Sequence, residues 1–232
     1  MIDFYALTSP NVVKIFIALE ELALPYRVIT VDVWKGEQFS PEFTKLNPNR
    51  KIPVIVDHEG PNGKPITVFE SGAILLYLAD KTGKLVPKDK AAYFEMLEWL
   101  MIQVSTQGPM SGQRVHFRRF APAGNDYSVS RYGTEVQRLY DLYEQRLGAQ
   151  RYVGGAEYSV ADIATFPWLR NHVLLDIDIS GRPNVQRYIE TISARPAVKQ
   201  ALAKVGTITS ARDTANDDAK DRFFQRGKYA RA

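Results

Sequence analysis

The chain has 232 residues, 45% of them hydrophobic and 24% charged, enough for a real core in one large or two small domains. It contains no cysteine, which excludes disulfides, a C-x-x-C redox pair, a cysteine nucleophile and a cysteine-based zinc site, so any thiol chemistry must use a thiol that a ligand brings. The net charge of +4 gathers partly in Arg114, Arg118 and Arg119 and in the tail residues Arg222, Arg226, Lys228 and Arg231; this suits an anionic ligand or simply a solvated face, and no nucleic-acid motif accompanies it.

The opening Met1-Ile2-Asp3-Phe4-Tyr5 lacks the basic and apolar regions of a signal peptide, so a cytoplasmic location is expected. Residues 2–5 read as a strand. Residues 12–23 carry Val12, Val13, Ile15, Phe16, Ala18, Leu19 and Leu22 at helical spacing, with Pro10 just ahead, where its missing N–H does no harm. Residues 27–33 alternate as a second strand, which makes a right-handed parallel βαβ unit. A short helix near 41–46 follows. Strands at 53–57 and 66–69 flank the turn signal Gly60-Pro61-Asn62-Gly63-Lys64, and a helix spans 71–82.

A linker at 84–89 separates this part from a region of helical period. One helix is expected over 90–116, interrupted near Gly108-Pro109, and others over 128–148, 160–175, 183–194 and 196–205. No run approaches the roughly 20 apolar residues of a membrane helix, so no membrane partner is expected. His58, His116 and His172 lie far apart and predict no metal site. The tail has no sustained period and reads as a mobile extension, unless Phe223 and Phe224 tuck it onto the body or a partner. The fold class is therefore α/β plus all-α. A thioredoxin-like domain (βαβ-ββα, 1–83) and a linker (84–89) precede a C-terminal helical bundle (90–206) and an extension (207–232).

Four local patterns carry chemistry, each with a structural alternative beside it. Ile52-Pro53 enters a strand. Pro53 is either a plain strand-start proline or a cis proline that turns the Ile52 main chain outward to pair with a peptide-like ligand. Glu70-Ser71 sits where a strand becomes a helix: Ser71 either caps that helix or, with its N-terminus, binds a carboxylate while Glu70 pairs with an ammonium. Together those two acceptors complement an α-amino acid group. Thr8-Ser9-Pro10-Asn11 offers hydroxyls and an amide at a helix start, which either cap the helix or stabilise a thiolate. Ser159 and Asp162 form a capping box variant, with Tyr158 and Ile163 at the staple positions, and read as structural.

In this order and spacing, the patterns resemble the cytosolic glutathione transferases over roughly residues 1–205, and most of all the nu class of bacterial disulfide-reducing members. The resemblance rests on Thr8-Ser9-Pro10-Asn11, Gly36-Glu37-Gln38-Phe39 with Pro41-Glu42-Phe43, Asn47-Pro48-Asn49-Arg50-Lys51-Ile52-Pro53 and Phe69-Glu70-Ser71-Gly72-Ala73-Ile74. In the second half it rests on Gly108-Pro109-Met110-Ser111-Gly112-Gln113, Arg131-Tyr132 and Tyr158-Ser159-Val160-Ala161-Asp162-Ile163-Ala164.

The resemblance implies that Glu70 and Ser71 hold the γ-glutamyl end of glutathione. Ile52 with cis-Pro53 pairs with its cysteinyl main chain, and Gln38 and Lys51 reach toward its glycyl carboxylate. Asn11 with Thr8 or Ser9 faces the sulfur. Arg131 touches a second glutathione. Relatives of this type usually carry threonine where this chain has Ser9, so the hydroxyl that meets the sulfur is open between Thr8 and Ser9, with Ser9 favoured by its spacing to Asn11. The implied protein is a homodimeric enzyme that uses glutathione as co-substrate, binds glutathione or oxidised glutathione, and reduces small disulfides. Conjugation to an electrophile or peroxide reduction is the alternative chemistry. A non-catalytic glutathione-binding or interaction module is the alternative class, and the retention of Asn11 and Glu70 argues against it. Early Tyr5, which other classes use, lies within the strand and reads as core.

Overall fold

The computed structural model describes residues 1–230; Arg231, one of the tail cations, lies outside the described residues. Strand β1 (Ile2–Ala6) leads through Ser9 into helix α1 (Pro10–Glu21), and β2 (Tyr26–Thr30) returns beside β1 in parallel. Pro10 at the first helical position and the Ser9 side chain, which accepts from the Val12 N–H, start α1 as the sequence predicts. After α2 (Pro41–Leu46), β3 (Val54–Asp57) and β4 (Ile66–Phe69) form an antiparallel hairpin, and α3 (Ser71–Thr82) closes the motif. The four strands lie in the order β2-β1-β3-β4, with β1 antiparallel to β3.

The apolar face of the sheet and α1 make the core of this unit. Phe4 and Phe16 are fully buried and meet edge to face with ring centroids 4.8 Å apart. Helix α1 is buried over the whole run Val12–Leu19, so its sides carry almost no polar residue. The exception is Lys14, which is 1% exposed.

Two units emerge from the pattern of packing: Met1–Ile74 with the segment from Gln200 onward, and Leu75–Lys199. The second holds α4 (Lys90–Ile102), α5 (Gly108–Arg119), α6 (Asp126–Ala149), α7 (Val160–Leu169), α8 (His172–Leu175) and α9 (Pro183–Ser193). The helix expected over 90–116 is broken earlier than Gly108-Pro109, by a π-helical turn at Gln103–Gln107. The run expected over 160–175 is two helices, with a turn at Arg170 and Asn171 between α7 and α8. Tyr140, Tyr143, Phe166 and Tyr188 fill the middle of this unit at 1% exposure or less.

The basic cluster proves structural at its first member. Arg114 is buried and donates to the carbonyl oxygens of Leu175 and Val129 at 3.2 and 2.7 Å, and Arg118 and Arg114 share Asp176. Gly133 on α6 makes room for it: a Cβ there would stand 3.0 Å from Arg114 Nη1. Neither an anionic ligand nor a solvated face explains Arg114; it ties α5 to the ends of α6 and α8.

Helix α10 (Pro196–Gly206) leads into the tail, which contains a further helix, α11 (Asp217–Phe224), capped by Asn216. Phe223 lies on Trp34 with centroids 4.7 Å apart, and Arg222 Nη1 donates to the Lys35 carbonyl at 3.1 Å. The tail charges are largely paired among themselves, Arg222 with Asp218 and Arg226 with Asp221. The short period of α11 and its mixture of charges hide it in the sequence, whereas the two adjacent phenylalanines signal the docking. Among the described residues no helix is long and apolar enough to cross a membrane.

Candidate active site

An open cleft in the first unit, with about 470 Å³ of empty space, is lined by Asn11, Asn47, Asn49, Lys51, Ile52, Pro53, Glu70 and Ser71. Its walls come from three places: the start of α1, the loop before β3, and the junction of β4 with α3. Six of the residues singled out in the sequence thus meet in one place.

The β4–α3 junction has an unusual helix start. The Ile74 N–H bonds to the Glu70 carbonyl at 2.9 Å, so Glu70 occupies the capping position and Ser71 lies inside the helix rather than capping it. Glu70 has φ +68°, the left-handed region, whereas the capping serines Ser9 and Ser159 have φ −71° and −142°. A non-glycine residue held there costs about 1–2 kcal/mol. Among the described residues, no side chain or carbonyl takes the N–H groups of Ser71, Gly72 and Ala73. The helix therefore keeps its first donors and its positive end for something outside the chain. Glu70 is exposed beside them and accepts from Asn49 Nδ2 at 3.1 Å.

The loop before β3 is stitched by Asn47, which is 1% exposed. Its Oδ1 accepts from the Asn49 N–H at 2.9 Å and its Nδ2 donates to the Lys51 carbonyl at 2.7 Å. Those two bonds set Lys51 and Ile52 at the cleft wall. The Ile52-Pro53 bond is cis. Among the described residues, none forms a main-chain hydrogen bond with Ile52, which leaves an N–H and a C=O for an extended ligand. Lys51 brings the cleft's cation; partial burial lowers its pKa, and its Nζ lies 5.7 Å from the Phe223 ring centre. Asn47 and Asn49 escaped selection as site residues, although a pair of asparagines around Pro48 is a recognisable side-chain-to-backbone turn signal.

At the other end stands Asn11, with Ser9 and Thr8 half-buried just before it. The Ser9 oxygen accepts from the Val12 N–H at 3.4 Å, which leaves its own hydrogen free to donate; neither Thr8 nor Ser9 lines the cleft itself. Gln38, in a short 3₁₀ turn at Glu37–Phe39, is 2% exposed and also does not line the cleft; its Oε1 is buried without a partner. Arg131 belongs to the second unit, on α6, where it is exposed and makes a loose 3.5 Å pair with Glu135. Tyr5 is half-buried in β1, its ring 6.1 Å from Phe43.

Beneath the cleft the structure adds a residue that the sequence reading passed over. Lys14 Nζ donates to Ser71 Oγ at 3.2 Å. Burial pushes the ammonium down to about 7, against a pull upward from the Glu70 carboxylate. The available signal was a lysine inside an apolar helical run, three residues after Asn11 and so on the same side of the helix.

The chain matches the glutathione S-transferase N-terminal domain over residues 8–81 and the C-terminal domain over residues 115–196. It belongs to the glutathione S-transferase family. It is 47% identical over 205 residues to the disulfide-bond oxidoreductase YfcG of Escherichia coli, covering 88% of this chain and 95% of that one. It is 38% identical to the disulfide-bond oxidoreductase YghU of the same organism, covering 86% and 73%. Among solved structures, a glutathione transferase from Burkholderia graminis with two glutathione molecules per subunit superposes with a TM-score of 0.82 at 46% identity, covering 87% of each chain. One from Pseudomonas putida with a glutathione disulfide bound reaches 0.82 at 40% identity, covering 87% and 90%. Among the described residues, no group of three or more histidine, aspartate and glutamate side chains is placed to hold a metal ion.

Proposed function

We propose that this chain binds glutathione in the cleft of the first unit, holds its sulfur as a thiolate, and uses it to reduce small disulfides. The observation that carries the reading is the uncapped α3 N-terminus beside Glu70. Unsatisfied donors next to a carboxylate complement an α-amino acid group, and they share one cleft with the unpaired main chain of Ile52. Glutathione has those parts in that order: an amino-acid end, a cysteinyl main chain and a terminal carboxylate. In this reading Ser71 takes the γ-glutamyl carboxylate and Glu70 the ammonium. Ile52 pairs with the cysteinyl main chain, Lys51 with Gln38 takes the glycyl carboxylate, and Asn11 with Ser9 faces the sulfur.

The chemistry then needs no protein thiol. The glutathione thiolate attacks one sulfur of a disulfide, forming a mixed disulfide and releasing the other half as a thiolate that takes a proton from solvent. A second glutathione thiolate attacks the glutathione sulfur of that mixed disulfide. Oxidised glutathione forms and the second substrate thiol leaves. The protein contributes orientation and a lowered thiol pKa through hydrogen bonds and the α1 dipole. The names of YfcG and YghU support disulfide chemistry, and the two glutathiones in the Burkholderia relative support the use of a second glutathione. We further place the functional boundary between domains in the linker at 84–89, and propose a cytoplasmic homodimer.

Steady-state turnover of hydroxyethyl disulfide with glutathione and glutathione reductase tests the reading. Wild type should turn over, and Asn11→Ala should fall by about tenfold or more, through loss of a donor to the thiolate. Glutathione binding without disulfide turnover would instead favour conjugation to an electrophile or a binding module.

A further inference from the structure

Lys14 is the one lysine among the buried polar residues described. Its neighbours on α1, Val12, Val13, Ile15, Phe16 and Ile17, are apolar and at most 5% exposed. An ammonium is costly in such surroundings unless its charge is used. One of its partners belongs to the cleft: Nζ donates to Ser71 Oγ, and Ser71 lines the cleft.

That bond has a direction. An ammonium has donors only, so Ser71 Oγ must accept from Lys14, and the serine's single hydrogen is left to point elsewhere. Ser71 lines the cleft, and Lys14 does not. A carboxylate seated at the open α3 N-terminus would accept from the Ser71 hydroxyl and lie one atom in front of the Lys14 charge.

We propose that Lys14 is a positioning residue for the γ-glutamyl carboxylate: from behind Ser71 it turns the serine hydroxyl into a donor toward the cleft and supplies the opposing charge, so that binding a γ-glutamyl ligand is coupled to protonation of Lys14. The proposal rests on the reading of the cleft as a glutathione site. It extends that reading by naming a buried residue that never touches the ligand.

Burial holds the Lys14 ammonium at about 7 in the free protein. The charged group that bears on it is Glu70, at the start of α3; on its own helix, Asn11 and Ala18 share its side and neither titrates. Near neutral pH the free protein is therefore a mixture of the two protonation states. A bound carboxylate favours the charged form and raises the folded pKa. Binding then takes up a proton above pH 7, and affinity falls as pH rises through that window, by up to about tenfold per unit once the free lysine is neutral.

S-methylglutathione is the probe, because it has no thiol to release a proton of its own. Calorimetric titration of the full chain at pH 7.5 in phosphate and in Tris, whose ionisation enthalpies differ, counts the protons exchanged. Wild type should take up on the order of half a proton per ligand, and its affinity should weaken about tenfold between pH 6.5 and 8.5. In Lys14→Met the uptake and the pH dependence should both vanish, leaving only the ligand's own ammonium as baseline, with weaker binding at pH 6.5. Wild-type binding without proton uptake, or equal uptake in Lys14→Met, would overturn the proposal and leave the site standing. No binding at any pH would overturn the glutathione reading and this one with it. The wild-type proton count decides the matter even if the variant does not fold.

Discussion

Two helix starts in this molecule use the same residue types to opposite ends. At α7, Ser159 and Asp162 seal the helix from within. Asp162 is fully buried and accepts from the Val153 N–H, the Ser159 N–H and the Ser159 hydroxyl at 2.7, 3.0 and 3.1 Å. Gly154 is shaped to the same cap, since a Cβ there would stand 2.1 Å from Ser159 Oγ. At α3, Glu70 and Ser71 also pair an acid with a serine, yet the acid is turned out by a left-handed backbone and the first N–H groups stay open. A cap that uses its hydrogen-bonding capacity inside the chain is structural. One that withholds it, and accepts a strained residue to do so, is the candidate site.

The sharpest way to test that distinction is Asp162→Ala. It leaves three buried donors without their acceptor, a loss of about 3–5 kcal/mol in folding free energy. A urea midpoint measurement should show that loss, while glutathione affinity of the folded protein stays within about twofold. Much weaker binding in a variant that still folds would mean that the two starts do not differ as argued. The acid is pushed up to about 6 by its burial, so its worth lies in its hydrogen bonds rather than in a free negative charge.

Which parts of this were legible beforehand follows from what each depends on. The βαβ-ββα order and the capping box at Ser159 were readable because periodicity and cap chemistry are local. The meeting of Asn11, Ile52 and Glu70 was readable only through resemblance, since they are far apart in sequence. Lys14 was missed because an apolar helical pattern absorbs one lysine without breaking, and its meaning lies in Ser71, 57 residues away. The left-handed residue at Glu70 was not legible. Sequence leaves open whether Ser71 caps the helix or its N-terminus stays free for a carboxylate, and only the backbone shows Glu70 in the capping position.

A smaller effect, of opposite sign, is expected at Lys14. Its folded pKa of about 7 lies below the ordinary 10.5. Below pH 7 both states are charged and the folded state bears the full desolvation cost. Between 7 and 10.5 the unfolded chain binds more protons, so wild-type stability rises with pH through that window. Lys14→Met should therefore be more stable than wild type at pH 6, by about 2–4 kcal/mol, with the gain shrinking as pH approaches 10. Thermal unfolding at both pH values measures it. A variant that is less stable at pH 6 would mean that the buried charge holds the fold together, as the cap at α7 does.

Smallest, and most specific to the open helix start, is Glu70→Gly. Glycine adopts the left-handed conformation without the Cβ penalty, so the substitution should raise stability by about 1 kcal/mol, less the exposed hydrogen bond from Asn49. The same change removes the carboxylate that would meet an ammonium, worth about 1.5–3 kcal/mol, so glutathione should bind roughly 10–100-fold more weakly. Stability and affinity moving in opposite directions is the signature of strain kept for function. If Glu70→Gly lost stability and kept its affinity, the left-handed residue would be a feature of the strand-to-helix turn alone, and the contrast with Asp162 would reduce to two ways of building a helix start.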